Sequence, residues 1–291
     1  MNSRFAVLGS PIAHSKSPAL HAAAYEVLGL DWTYSRVDVA TGQLSDFLLG
    51  LDESWRGLSL TMPLKEEALA LIDSADVQTM LTGAANTITL TRTGGTDGDA
   101  GGGRTLSVQG FNTDVAGIVD ALADTGISRS SEVLILGAGA TARSAVVAAA
   151  ELGAEHVTIA ARSPEKAEKV TAVAANAGVA ISVVWLADAL AHEVDAPVTI
   201  STLPGGSLSE ADLEGFAPTP GAILLDVAYE PWPSILAAGW RARGGVEVSG
   251  LWMLAHQALA QVRIFVTGDP QLRLPDEPAV FAAMTRAVGL T

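Results

Sequence analysis

The chain has 291 residues, more than one compact core usually takes, and 49% of them are hydrophobic with only 5% aromatic, which predicts a two-lobed α/β protein. Its 17 basic and 32 acidic side chains give a net charge of −15, a balance that argues against nucleic-acid or anionic-membrane partners. The absence of cysteine excludes disulfides, thiolate metal sites and thiol nucleophiles.

The first 90 residues alternate short apolar strands with helical patterns, a rhythm typical of βαβ units. The predicted strands are residues 5–8, 33–39 and 58–61. The predicted helices are residues 18–28, residues 44–49 and a segment that follows Thr61 and continues through Ile72. No signal sequence precedes the first strand, and no apolar run approaches the roughly 18 residues of a membrane span. We therefore expect a soluble, cytoplasmic protein.

Residues 93–104 hold six glycines and no large apolar side chain, a composition that also suits an interdomain linker. The flanking residues 86–90 and 106–110 both have the pattern of strands. We therefore predict the long tip of a β-hairpin rather than a linker.

The second half of the chain predicts a further α/β unit, entered through a connecting helix at residues 115–123. Its predicted strands are residues 133–136, 157–160, 181–185, 198–201, 222–227 and 246–248. A mostly apolar helix follows at residues 251–266, and we expect it to pack against the first lobe. The predicted domains are residues 1–112 for substrate, residues 113–248 for a Rossmann-type nucleotide unit and residues 249–291 for C-terminal helices that return to the first lobe.

A glycine-rich turn follows the strand at residues 133–136 and leads into an alanine-rich helix. The turn consists of Gly137, Ala138, Gly139, Ala140, Thr141 and Ala142. In a Gly-x-Gly-x-x-Ala turn, the first glycine permits the tight turn, the second lets the backbone approach a pyrophosphate, and the alanine permits close helix–strand packing. A plain βα turn can also be glycine-rich. The preceding strand, the following helix and a second strand about 20 residues later favour a dinucleotide site.

The residues after the second strand indicate which dinucleotide binds. NAD sites usually place a carboxylate there for the ribose 2′-hydroxyl, whereas this chain has Ala161 followed by Arg162 and Ser163, with Lys166 one turn into the next helix. Arginine can pair with a 2′-phosphate, serine can donate to it, and lysine adds positive charge. A solvated arginine at a strand end is the alternative, but the absence of a carboxylate favours NADP.

Ser15 and Ser17 lie two residues apart, immediately before Pro18 and a predicted helix. In an extended loop, residues i and i+2 face the same way, so both hydroxyls could donate to one small anion such as a carboxylate. The alternative is structural, since a serine before a proline is a favourable N-cap.

Three further segments place polar side chains where strands end or begin in the predicted α/β fold. Thr61 and Lys65 flank a proline turn after a strand, Asn86 begins another strand, and Asp114 begins the connecting helix. Such positions surround the ligand crevice of an open α/β sheet. A lysine beside a carboxylate can also supply the proton that an alkoxide needs after hydride transfer to a carbonyl.

Taken together and in order, these segments resemble the shikimate dehydrogenase family over nearly the whole chain. The resemblance includes the Ser-x-Ser loop, the Thr-x-Pro-x-Lys turn, the Ala-Asn-Thr strand, the Asn-Thr-Asp helix start and the Gly-Ala-Gly turn. It extends through residues 226–231 and through Gly250-x-x-Met253-x-x-x-Gln257. The resemblance implies reversible, NADP-dependent reduction of 3-dehydroshikimate to shikimate in aromatic amino-acid biosynthesis.

The family resemblance also implies a role for each matching residue. Ser15 and Ser17 would hold the substrate carboxylate, and Lys65 with Asp114 would form the acid–base pair at the C3 oxygen. The residues implied for the ring hydroxyls are Thr61, Asn86, Asp114 and Gln257, and Tyr229 would line the cleft. Besides the glycine-rich turn and the basic strand tip, the cofactor would be bound by Thr202, Val227, Gly250 and Met253.

The chain departs from the family pattern at three positions. Ser59 stands where the family commonly has asparagine, a change that we expect to alter only local support. Ala161 also replaces an asparagine, which puts one contact to the adenosine ribose in doubt. Lys166 replaces an arginine, which keeps the charge but loses bidentate phosphate recognition.

Two other functions compete with a biosynthetic dehydrogenase. The first is a quinate/shikimate dehydrogenase that uses NAD, which Ser17 in place of a threonine and the basic strand tip oppose. The second is a non-catalytic sensor of pathway ligands, which the presence of both Lys65 and Asp114 opposes. The histidines show no metal-ligand spacing, so we expect no metal. We expect a small-molecule substrate and a monomer or homodimer.

Overall fold

The computed structural model describes residues 3–93 and 105–290 and divides into two compact units. The first unit comprises Met1–Thr113 and Ala258–Thr291, and the second comprises Asp114–Gln257. Of the predicted hairpin tip at residues 93–104, residues 94–104 lie outside the described residues. Within the described ranges, no helix is long and apolar enough to cross a membrane. The predicted fold class, an α/β protein of two units of which the second has the strand order of a Rossmann-type sheet, is confirmed.

The first unit is built around a six-stranded mixed sheet whose order is β2-β1-β3-β5-β6-β4. Its strands are β1 (Ser3–Gly9), β2 (Trp32–Asp38), β3 (Trp55–Leu60), β4 (Ser74–Ala75), β5 (Thr87–Thr93) and β6 (Thr105–Phe111). Its helices before Thr113 are α1 (Ser17–Val27), α2 (Leu44–Leu49), α3 (Leu64–Glu67) and α4 (Val77–Thr82). The strands and helices predicted from residues 5 to 61 are thus confirmed, as are both flanks of the hairpin.

The direction of the strands determines which loops meet in the first unit. Strand β1 is parallel to β2 and β3, whereas β5 is antiparallel to both β3 and β6. The ends of β1, β3 and β6 and the beginning of β5 therefore lie at one edge of the sheet. Apolar residues of β1 and β3, among them Leu8 and Leu58, are fully buried and form much of the core beneath that edge.

The predicted helix through Ile72 is wrong in its C-terminal part. Helix α3 ends at Glu67, and only a single 3₁₀ turn, Ala68–Ala70, follows it. The chain then leaves the helical path because Asp73 pairs with β6, its N–H donating to the Val108 carbonyl (2.8 Å) and its carboxylate accepting from the Val108 N–H (2.8 Å). This competing contact is non-local, so the local pattern does not reveal it.

The second unit is a six-stranded, wholly parallel sheet in the order β12-β11-β10-β7-β8-β9. Its strands are β7 (Glu132–Leu136), β8 (His156–Ala161), β9 (Ala180–Trp185), β10 (Val198–Ser201), β11 (Ile223–Asp226) and β12 (Val246–Ser249). Its helices before residue 249 are α5 (Asp114–Ala123), α6 (Ala140–Glu151), α7 (Pro164–Ala177), α8 (Leu186–Leu190) and α9 (Ile235–Ala242). All six predicted strands are confirmed, and the buried apolar runs of β7, β10 and β11 suit the centre of a parallel sheet that is covered on both faces.

Two helices complete the chain. Helix α10 (Gly250–Thr267) is shared between the units, since residues up to Gln257 belong to the second and those from Ala258 belong to the first. Helix α11 (Glu277–Ala287) packs against α1 within the first unit. Arg263 on α10 makes two hydrogen bonds to the Glu277 carboxylate, at 2.8 and 2.7 Å, which fixes α11 to α10.

Candidate functional site

The predicted substrate residues of the first unit gather at the sheet edge where β1, β3 and β6 end and β5 begins. Ser15 and Ser17 follow β1, Thr61 and Lys65 follow β3, and Asn86 immediately precedes β5. Gly9 at the end of β1 permits this approach, because a Cβ there would lie 2.4 Å from the Thr61 Cγ2. The edge is therefore lined by hydroxyl, amide and ammonium groups, which suit a small, polyhydroxylated anion.

The serine loop is held by hydrogen bonds within the first unit. The Ser17 N–H donates to the Ser15 hydroxyl (3.3 Å), and the Arg36 Nε donates to the Ser15 carbonyl (2.8 Å). Helix α1 begins at Ser17 itself, and the residue before it, Lys16, occupies the N-cap position. The alternative interpretation of Ser17 as the N-cap is therefore wrong.

His21 supports the same loop from inside the core. Its Nδ1 donates to the Ser17 carbonyl (2.9 Å), and its ring stacks on Tyr34 at a centroid distance of 3.8 Å. Complete burial lowers the pKa of His21 to about 4, so the ring is neutral at physiological pH. Burial of the Tyr34 phenol raises its pKa above the ordinary value, against the opposing effect of the Ser59 and Ser17 hydroxyls.

Lys65 sits in the short helix α3, and its backbone is fixed to the segment that leads into β5. The Lys65 carbonyl accepts from the Ala85 N–H (2.9 Å), and the Thr61 N–H donates to the Leu8 carbonyl (2.9 Å). The side chain of Lys65 is partly exposed. The three loops that carry Thr61, Lys65 and Asn86 are thus held by backbone hydrogen bonds to their neighbours at the sheet edge.

Asn86 is buried, and its side-chain amide has a defined orientation. The Asn86 Oδ1 accepts from the Thr113 N–H (2.9 Å) and from the Thr87 hydroxyl (2.8 Å), while its Nδ2 donates to the Thr113 hydroxyl (2.9 Å). Because a backbone N–H can only donate, the oxygen of the amide must face it. The Asn86 amide therefore presents fixed donor and acceptor sides.

In the Asn-Thr-Asp segment, the first two residues support neighbouring groups, a role that the sequence did not indicate. Asn112 donates from its Nδ2 to the Thr82 hydroxyl and to the Ala84 carbonyl, both at 2.9 Å, and so holds the loop before Asn86. Thr113 orients Asn86, as described above. Asp114 is 4% exposed and begins α5 in the second unit. The supporting roles of Asn112 and Thr113 depend on residues distant in sequence, so no local signal could have identified them.

In the second unit, the glycine-rich turn has two glycines with different requirements. Gly137 has φ of +110°, and a Cβ there would lie 2.4 Å from the Thr202 Oγ1, which itself donates to the Leu136 carbonyl (3.0 Å). Gly139 has nothing within 4 Å of an added Cβ, and it is the N-cap of α6 without any side-chain cap. The open space at a helix N-terminus suits a phosphate group.

The basic strand tip lies beside this turn. Strand β8 pairs with β7, and the Gly137 N–H donates to the Ala160 carbonyl (2.9 Å), which is followed by Ala161 and Arg162. Arg162 and Lys166 are exposed, and Ser163 is the N-cap of α7 without a side-chain cap hydrogen bond. Two cations and a serine hydroxyl thus stand at the strand tip next to the glycine-rich turn.

The ends of β10, β11 and β12 carry the other predicted cofactor residues. Gly250 is required there, because a Cβ would lie 2.1 Å from the Val227 carbonyl oxygen. The turn that bears Tyr229 is held by Asp226, whose carboxylate accepts from the Ala228 N–H (3.3 Å) and from the Ser234 hydroxyl. Burial raises the pKa of Asp226, and those hydrogen bonds oppose the rise.

Helices α5 and the first part of α10 pack closely and position Met253 and Gln257. Gly117 permits this packing, because a Cβ there would lie 2.8 Å from both the Gln257 Cβ and the Met253 carbonyl. His256 reinforces the pair through a contact of 2.8 Å with the Asp124 carboxylate. Within residues 3–93 and 105–290, no cluster of three or more histidines and carboxylates is placed to hold a metal ion.

In comparisons with known proteins, the family models and the relatives that match this chain agree with one another. Two family models match the chain, "Shikimate dehydrogenase substrate binding domain" over residues 7–88 and "Shikimate / quinate 5-dehydrogenase" over residues 121–228. A shikimate dehydrogenase (NADP(+)) of Thermus thermophilus is 36% identical over 288 residues, which cover 99% of each chain.

Solved structures extend the comparison. The crystal structure of Mycobacterium tuberculosis shikimate dehydrogenase has a TM-score of 0.77 at 39% identity and covers 98% of this chain and 99% of its own. The Thermus thermophilus shikimate 5-dehydrogenase in complex with NADP(H) and shikimate has a TM-score of 0.74 at 32% identity, with coverage of 98% and 99%.

We expect alanine at each of the two glycines of the turn to have a different effect, on cofactor binding at one position and on stability at the other. Gly139→Ala should leave the thermal unfolding temperature unchanged but weaken NADP binding by at least about tenfold, because the methyl group would fill the space in which we expect the phosphate to bind. Gly137→Ala should destabilise the fold by about 1–3 kcal/mol through backbone strain and the clash with Thr202. Thermal unfolding and calorimetric NADP titration measure both effects. Unaltered NADP binding by Gly139→Ala would exclude this space as the phosphate site.

Proposed function

The chain belongs to the shikimate dehydrogenase family, and we propose that it catalyses the reversible, NADPH-dependent reduction of 3-dehydroshikimate to shikimate in aromatic amino-acid biosynthesis. The observation that carries the proposal is the gathering of Ser15, Ser17, Thr61, Lys65 and Asn86 at one sheet edge. Strand direction and backbone hydrogen bonds place these polar groups at the same edge.

The substrate's functional groups match the side chains at this edge. The Ser15 and Ser17 hydroxyls would donate to the carboxylate, where a hydrogen bond to a charged acceptor contributes about 1.5–3 kcal/mol. Thr61 and Asn86 would bind the ring hydroxyls with hydrogen-bonding groups whose backbones are already fixed. From the second unit, Asp114 and Gln257 are assigned to further ring hydroxyls and Tyr229 to the ring itself.

The cofactor assignment is supported by the glycine-rich turn and the basic strand tip. The space at Gly139 would take the pyrophosphate, and Arg162, Ser163 and Lys166 would surround the 2′-phosphate of NADP. Thr202, Val227, Gly250 and Met253 are assigned to further contacts with the cofactor. When bound, NADPH supplies the hydride that reduces the C3 carbonyl.

Lys65 and Asp114 are assigned to the proton chemistry at the C3 oxygen. As the carbonyl carbon gains a hydride, its oxygen gains negative charge, which the Lys65 ammonium would stabilise and then protonate. Asp114 would accept a hydrogen bond from the same oxygen-bound proton and support proton exchange with Lys65. In the reverse direction, the pair would remove the proton from the C3 hydroxyl while the hydride leaves for NADP.

The net charge of the chain bears on the ligands that it can bind. A net charge of −15 disfavours nucleic acid and anionic membranes, so the anionic ligands must be held by local cations such as Arg162. We assign the enzyme to the cytoplasm, where it would act as a monomer or homodimer.

Lys65→Ala should reduce kcat for shikimate oxidation by at least about 10²-fold while the shikimate Kd stays within about threefold. The asymmetry arises because Lys65 acts mainly on the charge that develops in the transition state. Arg56→Ala is a matched control, since it removes an exposed cation from the first unit outside the site. Steady-state rates and calorimetric shikimate titration check both values. A Lys65→Ala enzyme with a tenth of the wild-type kcat would exclude Lys65 from the chemical step.

Wild-type kcat/KM should favour NADP over NAD by at least tenfold, about 1.4 kcal/mol, because no carboxylate opposes the 2′-phosphate. Arg162→Ala should remove most of this preference by raising KM for NADP while KM for NAD stays nearly constant. Arg241→Ala, which removes an exposed arginine paired with Glu247 on the same unit, serves as the control for a general charge effect. Equal kcat/KM for both cofactors in the wild-type enzyme would contradict the NADP assignment.

A further inference from the structure

A chain of side-chain hydrogen bonds leads from the edge strand β2 to the Asn86 amide within the first unit. The Tyr34 hydroxyl donates to Ser59 (2.7 Å), and the Ser59 hydroxyl donates to the Gln261 Oε1 (2.9 Å). The Gln261 Nε2 then donates to the Thr87 hydroxyl (2.8 Å), which donates to the Asn86 Oδ1 (2.8 Å). The four donors come from β2, β3, α10 and β5, and all of them lead to one amide.

The donor and acceptor at each step of this series of hydrogen bonds are determined by groups that can only donate or only accept. The Thr113 N–H must donate, so the Asn86 oxygen faces it and must also accept from Thr87. With its proton committed to Asn86, the Thr87 hydroxyl must accept from the Gln261 Nε2. The weaker contact of that same nitrogen with the Asn86 carbonyl (3.4 Å), which can only accept, supports this orientation. Ser59 must consequently donate to the Gln261 oxygen and accept from Tyr34.

Because the members of this series of hydrogen bonds are buried, losing any one of the bonds is costly. Ser59, Gln261, Thr87 and Asn86 are each no more than 4% exposed. A buried polar group that loses its partner pays the full desolvation penalty, whereas a satisfied network fixes one arrangement of its members. The Asn86 backbone is fixed as well, because its carbonyl accepts from the Leu60 N–H (2.7 Å). What the chain of hydrogen bonds adds is a further bond to the Asn86 Oδ1, from the Thr87 hydroxyl, which helps to hold the amide in the orientation that the Thr113 N–H sets.

We propose that Thr87, Gln261 and Ser59 are positioning residues that hold the Asn86 amide in one orientation, with Tyr34 as the outer end of the chain. The inference rests on the proposed function, in which Asn86 binds a ring hydroxyl of shikimate. A side chain that is already fixed can bind the substrate without first losing rotational freedom. Weakening the chain should therefore raise KM for shikimate and leave the chemical step largely intact.

Thr87 allows the sharpest test, because two substitutions separate its hydroxyl from its shape. Thr87→Val keeps the shape and removes the hydroxyl, so KM for shikimate should rise about tenfold, the effect of one lost buried hydrogen bond. We expect kcat to stay within about threefold and KM for NADP to be unchanged. Thr87→Ser removes a methyl group but keeps the hydroxyl, so its KM for shikimate should be close to that of the wild type.

Gln261→Met extends the test along the chain and replaces Thr87→Val should that variant fail to fold. It removes the amide's hydrogen bonds to Ser59 and Thr87, together with the longer contact to the Asn86 carbonyl, at similar volume, so KM for shikimate should again rise about tenfold. Thr285→Val is the matched control, since it removes a buried hydroxyl of α11 whose bond goes to the Ala282 carbonyl. Its KM for shikimate should not change. Thermal unfolding of every variant shows how far each one is destabilised.

Three outcomes would overturn the inference. An active wild-type enzyme whose KM for shikimate is unaffected by Thr87→Val and Gln261→Met would show that the amide needs no such support. A Thr87→Ser enzyme with the same KM as Thr87→Val would show that Thr87 acts through packing rather than through its hydroxyl. A wild-type protein without shikimate turnover would instead overturn the proposed function and, with it, this inference.

Discussion

The placement of the proposed substrate-binding residues depends on one constraint, the antiparallel insertion of β5 between β3 and β6. Because β5 runs against both neighbours, its first residues arrive at the edge where β1, β3 and β6 end. A parallel β5 would carry Asn86 to the opposite edge, away from Thr61 and Lys65. The hairpin formed by β5 and β6 also returns the chain to this edge at Thr113, whose N–H orients the Asn86 amide.

The second unit is built on a wholly parallel sheet. Its packing requires that some backbone segments approach one another closely, which restricts certain positions to glycine. Side chains cannot fit at Gly137, Gly117 or Gly250, where an added Cβ would lie between 2.1 and 2.8 Å from its neighbours. Gly139 is different, because the space beside it is open. Packing thus explains the first three glycines, whereas the open space beside Gly139 is where we propose that phosphate binds. In a chain with a net charge of −15, Arg162 and Lys166 provide local positive charge near that space.

The sequence predicted the strands of both sheets well, because continuous apolar runs such as residues 133–136 are typical of buried strands. It failed where a non-local contact decided the local structure. The helix predicted through Ile72 ends early because Asp73 pairs with β6. Strand β4, which also pairs with β6, has only two residues, too few to give a sequence pattern. Helix α4 went unpredicted although its signals are local, with Asp76 as the N-cap and Gly83 in the left-handed conformation at its end.

The site residues were predicted from motifs, whereas their supports could not be. Ser59 was expected to alter only local support, but it connects Tyr34 with Gln261, a residue 202 positions later in the chain. Ser17 has the sequence context of an N-cap, yet the helix begins at Ser17 itself. Hydrogen bonds between side chains that are distant in sequence leave no periodic or compositional signal, so they appear only once the fold is known.

Initial rates of the purified protein with shikimate and with quinate, each measured at saturating NADP and at saturating NAD, test the central claim most directly. The account predicts turnover of shikimate with a kcat/KM at least about tenfold above that for quinate, since the site is assigned to a shikimate-specific biosynthetic enzyme. Equal or better kcat/KM for quinate would contradict that assignment in favour of a quinate-type dehydrogenase. Calorimetric binding of shikimate without turnover of either compound would contradict it in favour of a non-catalytic sensor.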